Sequence, residues 1–509
     1  MISAHSAASV RAAEAPLLAA GRGPELMRTA AYGLAQGVLA TLRTRGASVY
    51  GARVALLVGP GNNGGDALFA GAFLAARGAR TTALLTSGRT HPEALAAFTA
   101  AGGRCFSLSA DAGDATLAAT GFLAAAGVSD VVVDGLLGTG GRGGLREPVA
   151  SIVARLEQLS GSARPAVVAC DLPSGVDATT GEVHAPVLRA DLTVTFGAHK
   201  AGLLASPGEQ FCGKVSLVDL GLGSYLRESE LLRLEPADLA AMLPMPNVAD
   251  HKYTRGVAGI IAGSGQYPGA AILAVAAASA CGPGMVRYLG PPSVADALHV
   301  RNPEVVGSQN EPQDVRVQAW LAGPGIDGDS RQLGRAREAM EAGLPTVVDA
   351  AALDLVNPDH GEKNAHLVLT PHAGELSTLF ARCGIDMHRT DIEAAPLAAA
   401  RRAAQLFGST VLLKGATTVV AAPGGDVFTQ ANGTPRLASA GSGDTLAGIL
   451  VALLAMVSAP QDLAATAALA AALHGELARH ASAHEPLNAG MLANRIPAVW
   501  GALAARESN

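Results

Sequence analysis

Carboxylates that stand directly after short apolar runs are the residues of this chain best suited to chemistry. Asp134 ends the run VVVD, Asp171 follows VVAC, and Asp444 follows small residues in AGSGD. Open α/β sheets bind their ligands at the carboxyl ends of the strands, so a carboxylate there can exchange a proton with a bound substrate. The structural alternative for each aspartate is a helix cap or a loop brace.

A glycine-rich loop, GPGNNGGD at 59–66, precedes all three aspartates. It follows the apolar run 54–58 and leads into an alanine-rich segment, which predicts a strand, a turn and a helix that can approach a phosphate. The acid that usually binds a ribose about 20 residues further on is missing, because the next strand ends in TSG. Asn62, Asn63 and Asp66 make the loop more polar than a phosphate requires, so we expect a richer ligand; the alternative is a turn that binds nothing.

Other loops of the first half add oxygen atoms and a second glycine-rich stretch. Asn63, Asp134, Asp171 and Ser174 form an oxygen-rich set of the kind that binds a hard cation. The segment GTGGRGG at 138–144 combines glycines with an arginine, which suits it to wrapping a diphosphate. These loops all follow apolar strands, so we expect them at one edge of a sheet.

In the second half, His372, Lys414 and Asp444 follow apolar strands or open a long apolar helix. The N–H groups at a helix N-terminus, here at 441–443, stabilise the charge of a transferring phosphoryl group. An adjacent aspartate can accept the proton of an attacking hydroxyl. The spacing therefore favours phosphoryl-transfer chemistry at Asp444, with an ordinary helix N-cap as the alternative.

The elements that position these residues point to an α/β fold. The chain has 509 residues, 49% of them hydrophobic and only 4% aromatic, which is too long for one ordinary core and fits Ala/Val/Leu-rich layers. Apolar strands alternate with alanine-rich helices on both sides of a charged, proline-bearing stretch near 223–250. We therefore predict two three-layer α/β/α domains, one over 1–222 and one over 236–509, with a linker region at 223–250.

Composition and charge exclude several classes of function. The formal net charge is −6 and no basic run stands out, so nucleic acid is not an expected partner. The longest apolar run, 446–457, is shorter than the roughly 18 residues of a membrane span, and the N-terminus lacks a secretory signal pattern. Five scattered cysteines without a C-x-x-C motif indicate a reducing cytoplasm and no structural zinc.

The loops of the first half together resemble the N-terminal, Rossmann-like epimerase domain of the bifunctional NAD(P)H-hydrate repair enzymes. The matching segments are GPGNNGGD, DGLLGTGGRGG, DLPSGVDATTG and TFGAHKAG. By this resemblance the hydrated nucleotide contacts Asn62, Asn63, Gly64, Gly65, Asp66, Gly138, Thr139, Gly140, Gly141, Arg142, Gly143, Gly144 and Asp171. A potassium ion is implied at Asn63, Asp134 and Ser174. One departure from the family pattern is Ala67, where a glycine is usual; it matters only if that position needs a positive φ or close backbone approach.

The loops of the second half resemble the ADP- or ATP-dependent NAD(P)H-hydrate dehydratases, which have a ribokinase-like fold. The matching segments are HKYTRG, GSGQYPGA, GPGID, LTPHAGE, KGATTV and GSGDTLAG. By this resemblance the hydrate contacts Ala270, Gly325, His372 and Asp444. The adenine nucleotide, expected to carry magnesium, is implied at Lys414, Gly415, Ala416, Thr417, Thr418 and Gly443. The departures are Ala351, where relatives often have a second aspartate, and Pro283.

We therefore expect a cytoplasmic enzyme that epimerises hydrated NADH and NADPH and dehydrates the S form with ADP, with ATP left open as the donor. Asp171 and Asp444 are the expected catalytic residues. Lys200 is a second candidate for proton transfer in the epimerase half, its alternative being a solvated lysine after a strand. The resemblance also implies a homotetramer. The alternative function is a small-molecule kinase fused to a non-catalytic nucleotide-binding domain.

Overall fold

The chain folds into two compact units. The computed structural model describes residues 1–108, 112–159, 164–457, 462–481 and 485–505. Contacts group Ser3–Glu230 into a first unit, and Leu231–Asn509 together with Met1–Ile2 into a second unit. Each unit has its own sheet and hydrophobic core, and each is therefore described by itself.

The first unit is built on a parallel sheet. Its strands are β1 (Ile2–His5), β2 (Arg53–Val58), β3 (Arg80–Leu85), β4 (Arg104–Ser107), β5 (Val131–Gly135), β6 (Ala166–Cys170), β7 (Leu192–Phe196), β8 (His199–Lys200) and β9 (Lys214–Val218). Its helices are α1 (Ala7–Ala19), α2 (Gly23–Thr44), α3 (Asn62–Ala75), α4 (Pro92–Ala100), α5 (Ala112–Gly127), α6 (Val149–Glu157) and α7 (Glu209–Cys212). Seven strands pair in parallel in the order β4-β3-β2-β5-β6-β7-β9. The order reverses between β2 and β5, the position at which such sheets bind ligands.

Alternation along the central strands places apolar side chains on both faces of this sheet. In β2, Val54 and Leu56 join the core formed with α2 and α3, whereas Ala55 and Leu57 join the core formed with α5 and α6. Successive side chains of a strand point to opposite faces, so a continuous apolar run requires helices on both. The predicted three-layer arrangement is confirmed for this unit.

The second unit is built on a larger mixed sheet. Its strands are β10 (Leu231–Arg233), β11 (Val257–Ile261), β12 (Met285–Leu289), β13 (Val306–Ser308), β14 (Ala319–Ala322), β15 (Thr346–Val348), β16 (Leu367–Leu369), β17 (Thr410–Leu413), β18 (Thr418–Ala421) and β19 (Val427–Gln430). Its helices are α8 (Pro236–Met242), α9 (Pro268–Ala280), α10 (Pro292–Arg301), α11 (Ser330–Glu341), α12 (Ala373–Arg382), α13 (Arg389–Ala394), α14 (Pro396–Phe407), α15 (Ser442–Met456), α16 (Leu463–His480), α17 (Ala489–Leu492) and α18 (Ile496–Ala504). Within the unit the strand order is β13-β12-β11-β14-β15-β16-β17-β18-β19-β10, antiparallel only where β18 meets β17 and β19.

Both faces of this second sheet are covered as well. Ala258 and Ile260 of β11 pack with α9 and α15, while Val257 and Ile261, which point the other way, are equally buried. The order reverses between β11 and β14, so the loops after these strands flank the expected ligand position. β10 and α8 lie inside the region 223–250, where a linker was predicted. Among the described residues, no helix is both long and apolar enough to span a bilayer.

Candidate active sites

The loop after β2 approaches its neighbours so closely that two of its glycines cannot be replaced without movement. A Cβ on Gly59 would lie 2.0 Å from the carbonyl oxygen of Leu136, and one on Gly64 would lie 2.1 Å from that of Gly59. Helix α3 already begins at Asn62, so Ala67 lies inside the helix and is fully buried. Its Cβ would be 2.6 Å from a Cβ on Gly135. The departure at position 67 is therefore accommodated by a glycine on β5.

Asp171 and Lys200 form a buried ion pair at the carboxyl ends of β6 and β8. Lys200 Nζ lies 2.5 Å from Asp171 Oδ1 and also donates to Thr195 Oγ1 and to the carbonyl of Phe196. The Lys200 side chain is 1% exposed, so the alternative of a solvated lysine is wrong. Burial alone would raise the pKa of Asp171, but Lys200 and the hydroxyl and amide of Thr139 hold it below its usual value.

The backbone at Asp171 has a φ of 68°, which is uncommon for a residue with a side chain. This conformation brings Oδ2 to the 138–144 loop, where it accepts from the amide of Thr139 at 2.9 Å and from its hydroxyl at 2.5 Å. Arg11 of α1 donates to the Thr139 carbonyl from the other side. Strained residues of this kind cluster at functional sites, so the geometry agrees with a chemical role for Asp171.

Asp134 and Ser174 meet beside this pair. The hydroxyl and the amide of Ser174 donate to the two carboxylate oxygens of Asp134 at 2.7 and 2.8 Å, and the amide of Leu136 donates to one of them. Burial raises the pKa of Asp134, which these hydrogen bonds partly offset. The third predicted cation ligand, Asn63, is buried, and its Nδ2 has no partner among the described residues. A Cβ on Gly138 would lie near both Asn63 Oδ1 and Asp171 Oδ2, so the predicted loops converge.

Asp66 is the most isolated carboxyl group of this site. It is 7% exposed, and its Oδ1 lacks a hydrogen-bond partner among the described residues. Burial, and then the neighbouring charges of Asp171 and Glu14, raise its pKa well above the usual value. An unpaired buried carboxyl group is costly unless a ligand satisfies it.

Most of the remaining predicted contacts of the first unit lie nearer the surface. Asn62, Gly140, Arg142, Gly143 and Gly144 are exposed. Gly65 is buried, whereas Gly141 and Thr139 are half-buried. The site thus has a buried acidic floor and an exposed, glycine-rich rim.

The second unit places its proposed base at the mouth of α15. Gly441 caps the helix with a φ of 87°, and Asp444 lies in the first turn. The amide of Ser442 donates to the carbonyl of Ser439, so it is not available to an anion in this geometry, contrary to the predicted use of all three amides at 441–443. The first amides of a helix have no partner within the helix, which leaves Gly443 as the better-placed donor of the predicted set.

Lys414 lies within ion-pair distance of two carboxylates at this mouth, Asp349 and Glu375, and also interacts with the charge of Asp444. Its Nζ is 2.8 Å from Asp349 Oδ1 and 3.8 Å from Glu375 Oε2, and a Cβ on Gly443 would lie 3.5 Å from it. Burial lowers the pKa of Lys414, but Asp349 and Glu375 outweigh this and raise it overall. Lys414 is therefore a fixed positive charge beside the helix N-terminus.

Asp444 has an acidity suited to a proton acceptor near neutral pH. Burial, together with the negative charge of Asp349, raises its pKa to about 6, and Lys414 opposes this rise. A general base works best when its pKa lies near the operating pH. This agrees with the predicted role of Asp444.

His372 has a structural role at the start of α12. Its Nδ1 accepts from the amide of Glu375 at 3.1 Å, while the carboxylate of Glu375 accepts from the amide of His372 at 2.8 Å, which forms a capping box. The rest of the ring is exposed. The sequence pattern did not anticipate the cap. Nε2 lies 3.7 Å from Glu375 Oε2, but the side chain as a whole is 59% exposed, so the ring remains accessible for the predicted substrate contact.

The other predicted contacts fall into two groups. Lys414 to Thr417 form the turn between β17 and β18, with Gly415 and Ala416 exposed and Thr417 buried, and Thr418 is the first residue of β18. Ala270 and Gly325 flank the reversal point of the sheet, where a Cβ on Gly325 would lie 2.7 Å from the Cβ of Ala270. The two groups line loops at the same strand ends.

Three residues of this second site were not assigned a role from the sequence. Asp349 follows β15 directly, and the strand-end rule that selected Asp134 would have found it. Glu375 was hidden inside the motif LTPHAGE. His474 of α16 is buried 3.2 Å from Ser442 Oγ, and burial lowers its pKa to about 4; nothing in the local sequence separates it from a core histidine.

Each α/β unit has ionisable groups gathered at the carboxyl ends of its strands, where open α/β sheets bind their ligands. This arrangement is that of an enzyme with two separate ligand sites. The family model described as YjeF-related protein N-terminus matches residues 23–202, and the model described as NAD(P)H-hydrate dehydratase matches residues 258–498.

Relatives of known name cover both units. The bifunctional NAD(P)H-hydrate repair enzyme of Mycobacterium tuberculosis is 43% identical over 89% of each chain, and that of Mycobacterium leprae is 44% identical over the same shares. A solved ADP/ATP-dependent NAD(P)H-hydrate dehydratase from Bacillus subtilis, co-crystallised with ATP and Mg²⁺, is 27% identical, with a TM-score of 0.46, over 53% of this chain and 97% of its own. The chain belongs to the family of bifunctional NAD(P)H-hydrate repair enzymes, which confirms the resemblance found in the sequence.

Proposed function

We propose that this protein repairs hydrated nicotinamide nucleotides with both of its units. The first unit interconverts the R and S epimers of hydrated NADH and NADPH, and the second dehydrates the S epimer to the reduced nucleotide. The observation that carries the proposal is the similarity of one chain, over both units, to relatives named for both activities. The alternatives, a small-molecule kinase and a non-catalytic nucleotide-binding module, gain no support from these relatives.

In the first unit, Asp171 exchanges a proton with the C6 hydroxyl of the hydrate. That carbon is bonded to the ring nitrogen, so the centre inverts through a ring-opened or an iminium-like species. Lys200 keeps Asp171 ionised, and the loops 62–66 and 138–144 hold the nucleotide against it. Asp66, with its unpaired Oδ1, is available to donate a hydrogen bond to the ligand.

A potassium ion fits the residues beside the ion pair of Asp171 and Lys200. Asp134 is a fully buried carboxylate, and the groups that offset its burial are neutral donors from Ser174 and Leu136. Asn63 and Ser174 supply further oxygen atoms, and oxygen ligands of this kind suit a hard cation; the family resemblance specifies potassium. When bound, the ion supplies positive charge near the nucleotide.

In the second unit, Asp444 takes the proton of the C6 hydroxyl, whose oxygen then attacks the terminal phosphoryl group of ADP. AMP leaves, phosphate departs from C6, and loss of the C5 proton restores the ring double bond. Lys414 and the amide of Gly443 stabilise the charge that develops on the transferring group. The remaining residues of the 414–418 turn hold the adenine nucleotide.

Magnesium belongs to the nucleotide in this proposal. Among the residues that the structure describes, no group of three or more His, Cys, Asp or Glu side chains is arranged to hold a metal ion. Bound to the phosphates, magnesium would neutralise part of their charge. ATP would serve as donor in the same way, with ADP as the other product.

The proposal includes a cytoplasmic location and a homotetramer. All five cysteines are free, including the exposed Cys105, which agrees with a reducing compartment. Cell fractionation tests the location, and light scattering after gel filtration tests the assembly.

Turnover of a mixed substrate tests the function. The purified full-length protein is given both epimers of hydrated NADH, magnesium and either ADP or ATP, and the absorbance of reduced nicotinamide is followed. We expect complete conversion with release of phosphate in equal amount. A stable phosphate ester as product would instead identify a kinase, and no conversion with either nucleotide would reject the proposal.

A further inference from the structure

Asp349 is a buried carboxylate that faces the second site and has no role in the chemistry above. Its Oδ1 accepts from Lys414 Nζ at 2.8 Å and from Thr370 Oγ1 at 2.9 Å. The side chain is 4% exposed. Its partner Lys414 is 21% exposed. A partly buried ion pair is weak evidence for stability alone, so the position of Asp349 calls for another explanation.

The position of Lys414 supplies that explanation. Asp349 follows β15 and Lys414 follows β17, so the two side chains meet across the strand ends. The ammonium thereby lies beside Gly443, at the first turn of α15. Without Asp349, the nearest carboxylate partner in an ion pair would be Glu375 at 3.8 Å, and the flexible lysine stem would follow it.

We propose that Asp349 is a positioning residue of the dehydratase site, which holds the Lys414 ammonium where the transferring phosphoryl group meets Asp444. The inference rests on the proposed dehydration at this site and adds a residue that touches neither substrate nor nucleotide. Its rival is a purely structural role, in which Asp349 only pairs with the half-buried Lys414.

The proposal predicts a change in the pKa of Asp444, because several charged groups face this carboxylate. Asp349 and Lys414 face it from the strand ends, and Glu375 of α12 faces it through Lys414. From α16, His474 contacts the neighbouring Ser442 and is neutral above about pH 4. Helix α9, which also packs on α15, has no ionisable side chain. Removing the charge of Asp349 removes a repulsion and frees Lys414 to approach Asp444, and both effects lower the pKa of Asp444.

The test is the pH profile of Asp349→Asn in the full-length protein. We expect kcat to fall by about 10- to 100-fold, as for a misplaced catalytic group. The acid limb of the profile, where kcat declines as the pH falls, should also move to lower pH by at least about half a unit. The matched control is Asp354→Asn, an exposed aspartate of the same 3-10 turn that pairs with Arg382; its profile should be that of the wild type. An unmoved limb in a folded Asp349→Asn protein supports the purely structural rival and overturns the proposal.

A double-mutant cycle keeps the proposal testable if Asp349→Asn alone does not fold. Lys414→Met is compared with Lys414→Met combined with Asp349→Asn. In the single variant Asp349 keeps its hydrogen bond from Thr370 Oγ1, and in the double variant neither charge of the pair remains. Because Asp349 acts through Lys414, the second substitution should change kcat by no more than about 2-fold in this background. A full additional loss would overturn the inference. Failure of the proposed function is distinguishable, since the wild type would then show no turnover.

Discussion

Lys200 and Asp171 lie 2.5 Å apart and are almost fully buried, although 29 residues separate them in the sequence. The lysine offsets the burial of the carboxylate and keeps it ionised. At its other oxygen, Asp171 accepts two hydrogen bonds from Thr139, in the glycine-rich loop expected to wrap the nucleotide. The pair thus couples the proposed proton-transfer group of the first site to the loop proposed to bind the nucleotide.

The substitution Lys200→Met should remove the ion pair that keeps Asp171 ionised. We expect epimerisation to fall by about 10²-fold or more, because burial then raises the pKa of Asp171 and protonates it. Breaking the buried ion pair should also lower the free energy of unfolding by about 3–5 kcal/mol. Chromatographic separation of the epimers and thermal unfolding measure the two effects. Lys214→Met, at an exposed lysine of β9, is the control, and equal behaviour of the two variants would contradict the assignment.

The sequence predicted this site unevenly. Asp134 and Asp171 were found because a polar residue that ends an apolar run is a local pattern. The burial of Lys200 was not, since it depends on a partner from another strand. The loops flanking the reversal between β2 and β5 were found for the same local reason, although the strand order itself is set by pairing between distant segments.

In the second unit the same contrast holds. Asp444 was selected by its small neighbours and the apolar helix that follows. Asp349 follows a strand in the same way, but no role was predicted for it. The departure from the family pattern lies two residues further on, at Ala351. The capping box of His372 and Glu375 follows from their separation of three residues, but only a ligand contact was predicted for the histidine. The Ser442–His474 contact joins two helices and has no local signal.

Asp444→Asn should separate chemistry from binding. We expect kcat for dehydration to fall by at least about 10²-fold, the scale of a lost general base, while ADP binding measured by calorimetry stays within about 2-fold. The asparagine has nearly the same shape, so the fold should be retained. Asp426→Asn, at an exposed aspartate before β19, is the control. Near-normal turnover by Asp444→Asn would remove this residue from the catalytic set.

The two activities should respond differently to acid. The pKa of Asp444 is raised to about 6, so this carboxyl is protonated below that pH and cannot accept a proton. Dehydration should therefore fall about tenfold per pH unit below pH 6. The pKa of Asp171 is lowered, so epimerisation should show no such limb. Parallel rate measurements between pH 5 and 8 check this, and a flat dehydration rate over that range would contradict it.

Potassium should support epimerisation better than sodium. Ser174 Oγ lies 2.7 Å from the buried carboxylate of Asp134, and Asn63 is the third proposed oxygen ligand. We expect a site with these ligands to suit the larger ion. Asp134→Ala should raise the potassium requirement or abolish the activity, whereas Asp114→Asn, at an exposed aspartate of α5, should leave it unchanged. Epimerisation rates in potassium and sodium salts at constant ionic strength provide the measurement. Indifference to both the ion and the Asp134 substitution would refute the cation site.

A chain that begins at Leu231 should retain dehydration without epimerisation. Starting at Pro236 would delete β10, which pairs with β19, whereas starting at Leu231 retains all strands from β10 to β19. Given both epimers, this shortened chain should consume the S form quickly and then slow sharply, because the R form must invert spontaneously. The full-length protein should run to completion without a break.

The substitution Asp171→Ala in the full-length protein should reproduce the two-phase course, which separates loss of epimerisation from any effect of truncation. A single phase with the shortened chain at low enzyme concentration would mean that the second unit accepts both epimers. In that case the first unit would not be needed as an epimerase. Ala67 would not explain such a result, because it is buried within α3 and packs against Gly135. The next residues to substitute would be Ala270 and Gly325, the predicted hydrate contacts of the second unit, which lie close together.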